Sequence, residues 1–152
     1  MMSQIVSHSS EQTTAFGREL AKQFRPPCLV LLEGELGSGK TTLAKGVVAG
    51  LGAAQEEEVS SPTFTLIHEY GDRVRVYHVD LYRVEGSADL ATMGLEELIN
   101  QNAVVLVEWG EKFASIFPTP DFHIKLEHLE HNDRRITVQA ATAARMDSRK
   151  GE

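Results

Sequence analysis

The spacing of apolar and polar residues predicts a helix near the start of the chain. Ser9 is a helix-capping residue followed three positions later by glutamine, which is the spacing of a capping box. Apolar side chains then recur every fourth residue at Phe16, Leu20 and Phe24, which we expect to form the buried face of the helix. The helix should end before Pro26, because proline supplies no backbone N–H and disfavours helix in the preceding residue.

Two continuous apolar runs predict buried strands. Cys28–Leu32 leads into a glycine-rich loop and then into Thr42–Leu51, whose apolar residues have helical spacing. Ala103–Val107 is the most strand-like run in the chain and is suited to burial on both faces of a sheet. A strand, a glycine loop and a helix therefore follow one another between residues 28 and 51.

Two pairs of extended segments predict antiparallel hairpins, because turn residues separate the members of each pair. The pairs are Thr65–Tyr70 with Val74–Val79, and Phe122–Leu126 with Arg135–Val138. Between the pairs, a helical stretch opens at Ser87 and is interrupted at Gly94, and Glu111–Phe117 predicts a further short helix stopped by the prolines after it.

The glycine-rich loop fits the phosphate-binding pattern G-x-x-x-x-G-K-[ST]. It spans Gly34–Thr41, between the strand and the helix that the pattern requires. Glycines let backbone N–H groups surround phosphate oxygens, and the N-terminus of the helix adds a partial positive charge. Lys40 is then expected to reach the β- and γ-phosphates, and the Thr41 hydroxyl to bind Mg²⁺. The residues expected to surround the nucleotide phosphates are Glu35, Leu36, Gly37, Ser38, Gly39, Lys40, Thr41 and Thr42.

These elements predict an α/β fold, a three-layer sandwich like that of P-loop NTPases. The mixed sheet is expected to have a parallel core with antiparallel hairpins added to it. We expect residues 1–140 to form a single P-loop domain, and residues 141–152, which are small or charged, to form a frayed C-terminal tail.

Composition narrows the class of protein. The chain is 41% hydrophobic and 24% charged, as in an ordinary soluble globular protein. Its net charge of −7 argues against a protein that mainly binds the nucleic acid backbone, since that affinity comes from clustered Lys and Arg. The adjacent Arg134 and Arg135 are interpreted as part of a turn and strand edge. With one cysteine, no secretory signal pattern and no apolar run of membrane-spanning length, we expect a cytoplasmic protein.

Two acidic residues follow apolar strands and are the strongest candidates to complete the phosphate site. Asp80 follows Val79, and Glu108 follows Val107. Ligands of open α/β sheets bind where the strands end, so both carboxylates are well placed to face Mg²⁺. Asp80 has the short side chain typical of a metal partner, and Glu108 has the reach to polarise an attacking water, although the sequence also allows the two roles to be exchanged.

Further candidates lie close to these motifs. Ser61 and Thr63 follow the phosphate-loop helix, where segments that sense the γ-phosphate tend to occur, and a proline turn is the alternative interpretation. Trp109 follows Glu108 and is a candidate to pack over the nucleotide site. Arg83 is a candidate to stabilise phosphate charge. The alternative interpretation, which is the commoner outcome for an arginine, is an exposed or ion-paired side chain.

Four motifs occur in a fixed order along the chain: Gly34–Thr42, Ser61–Phe64, His78–Arg83 and Val107–Trp109. This set resembles the TsaE (YjeE) family, the small bacterial ATPases of threonylcarbamoyladenosine biosynthesis. The phosphate loop alone is shared by a very large superfamily, whereas the four motifs with this spacing are specific. The resemblance covers nearly the whole chain, from the opening helix to the last hairpin.

The resemblance implies a cytoplasmic ATPase that uses ATP and Mg²⁺ and yields ADP. It also implies a role in the threonylcarbamoyl modification of adenosine 37 in tRNA. The implied protein partner is the TsaB–TsaD pair, and contact with tRNA is implied to be indirect, through that complex. By motif, Lys40 and Thr41 would bind phosphate and Mg²⁺, Asp80 would belong to a Walker B-like element, and Glu108 would be catalytic or metal-linked. The Ser61–Phe64 segment would be the switch.

Two other function classes fit a phosphate loop. A small-molecule P-loop kinase would need an acceptor site and a lid rich in arginine, and residues 86–102 contain no arginine. A non-catalytic, nucleotide-gated binding module would lack an acid that positions water, and Glu108 argues against it. The sequence does not determine the base that is bound, the oligomeric state or the step that hydrolysis would drive.

Overall fold

The computed structural model of the chain describes residues 2–60, 66–113, 115 and 117–141. Within these ranges it shows a single mixed sheet of seven strands, in the order β1-β7-β6-β2-β5-β4-β3. The strands are β1 (Met2–Ser7), β2 (Cys28–Glu33), β3 (Ile67–Tyr70), β4 (Val76–Asp80), β5 (Val104–Glu108), β6 (Phe122–His128) and β7 (Arg134–Ala140). The four central strands are parallel, while β1, β7 and β3 add to the two edges in antiparallel fashion.

Helices cover both faces of the sheet, which gives the predicted three layers. They are α1 (Ser10–Ala21), α2 (Lys40–Gly50), α3 (Ser87–Thr92) and α4 (Leu95–Ile99), with short 3-10 helices at Glu56–Glu58 and Gly110–Phe113. The side of the sheet that packs on α1 and α2 is called the α2 face here, and the side that packs on α3 and α4 is called the α4 face. None of the helices in the described ranges is both long and apolar enough to cross a membrane.

The central strands are mostly apolar because both of their faces are covered, and the buried polar residues of β4 and β5 are His78, Asp80 and Glu108. In β5, Val104 and Leu106 pack on the α2 face, whereas Val105 and Val107 pack on the α4 face. Every residue of β4 and β5 is buried. The side chain at a given strand position therefore reaches one layer only, and this alternation decides which residues face the phosphate loop.

Several predicted boundaries are confirmed. The Ser9 side chain caps α1 by accepting a hydrogen bond from the Gln12 N–H at 3.1 Å. Both predicted hairpins are antiparallel pairs, β3 with β4 and β6 with β7. The helical stretch after Ser87 is interrupted at Gly94, whose φ of 71° lies in the left-handed region.

Three features differ from the prediction. Phe24 does not belong to α1, which ends at Ala21, yet it is buried against Phe122 with a ring separation of 4.7 Å. β1 was not predicted, because most of its residues are exposed and its partner β7 is distant in sequence. The predicted helix at 111–117 is, in its described part, a 3-10 helix over Gly110–Phe113.

The expected tail lies outside the described residues except for Ala141, whose N–H donates to the Asp121 carbonyl.

Helices α1 and α2 approach closely because a glycine faces the contact. A Cβ atom on Gly46 of α2 would lie 2.0 Å from the carbonyl oxygen of Thr14 in α1. That oxygen belongs to the backbone of a packed helix, so a side chain at position 46 can be accommodated only if the helices separate. The position of α2, and with it the phosphate loop, thus depends on this contact.

We expect Gly46→Ala to lower the free energy of unfolding by about 1–3 kcal/mol, as overpacking of a core contact does. Urea unfolding followed by circular dichroism measures this change. Gly86→Ala is the matched control, because a Cβ at Gly86 meets no atom within 4 Å. Equal stability of the two variants would show that the helix contact is not tight.

Candidate functional site

The phosphate loop joins β2 to α2 and leaves the N-terminus of α2 open. Gly39, the residue before the helix, has a φ of 107°, a left-handed conformation that favours glycine. The first turn of α2 carries no acidic residue, so no side chain there neutralises the partial positive charge of the helix end. The loop and the helix N-terminus together form a site suited to an anion.

Lys40 lies within this site as a buried cation. Its Nζ donates to the carbonyl oxygen of Gly34 and lies 3.8 Å from the centre of the Trp109 ring. Burial lowers the pKa of Lys40, and the negative charges of Glu108, Glu111 and Asp80 oppose that shift. Lys40 is therefore close to the two predicted carboxylates, and an incoming phosphate would add a further negative partner.

Asp80 and Glu108 end neighbouring parallel strands and lie directly opposite each other in the register of β4 and β5. Both are buried. Two-residue alternation places them on the α2 face, since Leu106, two positions before Glu108, packs there. They line one cleft of about 320 Å³ together with Lys40, Thr41 and other loop residues. The structure thus brings the two predicted carboxylates together with Lys40 and Thr41 of the phosphate loop.

Each of the two carboxylates has a hydrogen-bond partner. The Tyr82 N–H donates to Asp80 Oδ1 at 2.8 Å. His78 Nε2 lies 2.5 Å from Glu108 Oε2, and the His78 side chain is fully buried. These contacts hold both carboxylates at the strand ends, where they line the cleft.

The donor set of the cleft fits Mg²⁺. A threonine hydroxyl and two carboxylates are hard oxygen ligands, which Mg²⁺ prefers. Over the described part of the chain no group of three or more His, Cys, Asp or Glu residues is arranged to hold a metal by itself. Mg²⁺ is commonly bound by one or two carboxylates together with substrate phosphates and water, and the cleft offers two carboxylates.

The remaining candidates have different positions. Trp109 lines the cleft, has a φ of 64° and contacts the Tyr82 ring at 5.0 Å between centroids. Arg83 is exposed and is not among the residues that line the cleft. Ser61 and Thr63, the switch candidates, lie outside the described residues.

Arg134 is a residue of the site that the sequence interpretation missed. Its Nη2 donates to the carbonyl oxygen of Gly37 at 3.2 Å, although the two residues are far apart in sequence. Strand β6 lies beside β2, so the turn between β6 and β7 reaches the phosphate loop. Arg134 lines the cleft of Lys40 and also an adjoining cleft of about 380 Å³. No local pattern distinguishes Arg134 from Arg135, so only the strand order could have identified it.

The adjoining cleft extends the site away from Asp80 and Glu108. It shares Gly39, Thr42 and Arg134 with the first cleft. Its other lining residues come from the start of α1 and from the β6–β7 turn: His8, Ser9, Ser10, Thr13 and Asn132. A contact between His8 Nδ1 and Asp133 Oδ1 at 3.0 Å joins those two segments. A ligand longer than a phosphate group can therefore continue from the loop into a polar groove.

Comparisons with known proteins find relatives of this chain and a solved structure of the same fold. A solved structure, Bacillus subtilis YdiB, superimposes with a TM-score of 0.77 at 30% sequence identity, covering 99% of this chain and 93% of that one. The tRNA threonylcarbamoyladenosine biosynthesis protein TsaE of Treponema pallidum is 38% identical over 133 residues, which are 88% of this chain and 97% of that protein. The TsaE protein of Bacillus subtilis is 38% identical over 131 residues, 86% of this chain and 80% of that protein.

A family model described as threonylcarbamoyl adenosine biosynthesis protein TsaE matches residues 7–136. This range contains the phosphate loop, both strand-end carboxylates and Arg134. The family match and the relatives confirm the resemblance that the four motifs indicated. The chain belongs to the TsaE family of tRNA threonylcarbamoyladenosine biosynthesis proteins.

Proposed function

We propose that this protein is a Mg²⁺-dependent ATPase that supports the threonylcarbamoyl modification of adenosine 37 in tRNA. The observation that carries this proposal is the meeting of four residues in one cleft. Lys40 and Thr41 begin α2, while Asp80 and Glu108 end the two strands opposite them. Phosphate binding by a loop requires only the first pair, whereas hydrolysis also requires an acidic metal partner and a group that orients water.

The nucleotide is proposed to lie along both clefts. Its phosphates would occupy the loop, where Lys40 exchanges its contact with the Gly34 carbonyl for phosphate oxygens. Its ribose and base would extend past Thr42 and Arg134 into the adjoining groove. The polar lining of that groove, including Ser9 and Asn132, offers hydrogen-bond donors and acceptors to a nucleoside.

The residues of the cleft divide the chemistry among them. Thr41, Asp80 and Glu108 would hold Mg²⁺, which when bound neutralises charge on the β- and γ-phosphates. Lys40 adds positive charge on the loop side. Glu108, whose side chain is the longer of the two acids, would also accept a hydrogen bond from the attacking water and orient it. The protein would thus supply positioning and electrostatic stabilisation, which dominate phosphoryl transfer.

We propose that hydrolysis serves a protein complex. The family and the relatives named above act in threonylcarbamoyladenosine biosynthesis, and the partner we propose is the TsaB–TsaD pair, with the transfer reaction performed by TsaD. The net charge of −7 supports this arrangement, because an acidic protein is poorly suited to bind the tRNA backbone alone. Contact with tRNA would be indirect, through the complex, in the cytoplasm.

We expect the chain to increase the amount of threonylcarbamoyladenosine that the TsaB–TsaD pair forms on tRNA over many turnovers, when ATP and Mg²⁺ are present. Lys40→Ala should lose this effect, since the loop loses the cation that contacts the phosphates. Chromatography of nucleosides from digested tRNA measures the product. Lys45→Ala is the control, a lysine of the same helix that does not line the cleft. Equal product with and without the chain would contradict the proposal.

We expect Arg134→Ala to weaken binding of Mg²⁺-ADP about tenfold, or about 1.4 kcal/mol. The substitution removes a cation from the cleft and the hydrogen bond that Arg134 donates to the Gly37 carbonyl of the phosphate loop. Isothermal titration calorimetry measures the dissociation constant. Arg135→Ala is the matched control, since Arg135 is the next residue, lies 3.9 Å from Glu127 and lines neither cleft. Equal weakening by both variants would show that the general positive charge at the start of β7 matters and not the contact with Gly37.

A further inference from the structure

We propose that His78 is a positioning residue that holds the Glu108 carboxylate in its working orientation. The inference rests on the proposed function, because it concerns how Glu108 serves Mg²⁺ and the attacking water. His78 is not in the cleft of Lys40, so it would act on the reaction only through Glu108. No sequence pattern reveals this link, since 30 residues separate the two side chains.

The register of the sheet brings His78 and Glu108 together. His78 lies opposite Leu106 in the parallel pair β4–β5, and Asp80 lies opposite Glu108. Because strand side chains alternate, His78, Asp80, Leu106 and Glu108 all lie on the α2 face. His78 and Glu108 are therefore diagonal neighbours on one face, a separation that two long side chains span.

The contact between the two side chains is buried and directional. A carboxylate oxygen can only accept a hydrogen bond, so the imidazole donates through its Nε2–H to Glu108 Oε2, at 2.5 Å. The His78 side chain is 0% exposed and that of Glu108 is 4% exposed. Within the ranges that the structure describes, Nδ1 of His78 has no hydrogen-bond partner. Among those residues, the hydrogen bond to Glu108 is thus the one directional contact of the imidazole.

Glu108 needs such a partner more than Asp80 does. The shorter Asp80 is fixed locally by the Tyr82 N–H, two residues along the same chain segment. Glu108 has an additional rotatable bond, and its carboxylate oxygen Oε2 is held by a side chain from another strand. With Oε2 held, Oε1 remains for the metal or for water. The partner of a reactive carboxylate orients it, and loss of such a partner commonly reduces metal affinity or activity about 10–100-fold.

The test compares His78→Leu and His78→Gln with Glu108→Gln. Phosphate release gives kcat and KM for ATP. Fluorescence of Trp109, the only tryptophan of the chain, reports the Mg²⁺ concentration that half-saturates nucleotide binding without requiring turnover. Glu108→Gln is expected to lower kcat or to raise the half-saturating Mg²⁺ concentration. We expect His78→Leu to change the same one of these two quantities by about 10–100-fold, with KM for ATP unchanged. His78→Gln retains an N–H donor and should recover most of the loss.

Two comparisons separate positioning from a general effect on the fold. His123→Leu is the control, because it removes the imidazole of another His–Glu pair, His123 with Glu33 at 2.8 Å. It should leave kcat and the half-saturating Mg²⁺ concentration at the parental values. In the Glu108→Gln background, His78→Leu should cause no further loss, because the two residues act as one unit. If His78→Leu fails to fold, His78→Asn replaces it, since its shorter amide does not reach Glu108.

The outcomes distinguish this inference from the proposed function. If the parental protein releases no phosphate, the proposed hydrolysis fails, and the Mg²⁺ titration alone decides the role of His78. Parental kcat and parental Mg²⁺ dependence in His78→Leu would overturn the inference. Fully additive losses with Glu108→Gln, or no effect of Glu108→Gln itself, would overturn it as well.

Discussion

The site depends on the in-register parallel pairing of β2, β5 and β4. This pairing sets Leu32 beside Glu108, and Glu108 beside Asp80, at the edge where β2 continues into the phosphate loop. Three elements that are distant in sequence therefore end at one place and on one face of the sheet. A shift of one residue in either pairing would turn a carboxylate to the opposite face, so the hydrophobic pattern that fixes the register also fixes the site.

The charged residues of this site are held at a cost to stability. Lys40, Asp80 and Glu108 are all buried, and buried charges lose hydration that their partners only partly replace. Burial of the surrounding hydrophobic residues offsets this cost. The remaining residues of β4 and β5 all belong to the two hydrophobic cores. Buried charged residues that gather at the ends of strands in a cleft are typical of functional sites.

Much of the fold could be predicted from the sequence, because local patterns determine it. Gly34–Thr41 predicted the phosphate loop, and the acids after two apolar runs predicted the far side of the cleft, since parallel strands end at a common edge. Long-range features could not be predicted in this way. The pairing of β1 with β7 has no local pattern, the contact of Arg134 with Gly37 requires β6 beside β2, and the bond from His78 to Glu108 requires the register of β4 with β5.

The central claim is that one cleft both binds and hydrolyses Mg²⁺-ATP. Phosphate release by the purified chain, alone and with the TsaB–TsaD pair, in the presence and absence of Mg²⁺, tests it most directly. The account predicts Mg²⁺-dependent release that the pair increases and that Lys40→Ala abolishes. Tight binding of Mg²⁺-ATP with no release under either condition would contradict it, and would mean that the strand-end acids gate binding and do not serve hydrolysis.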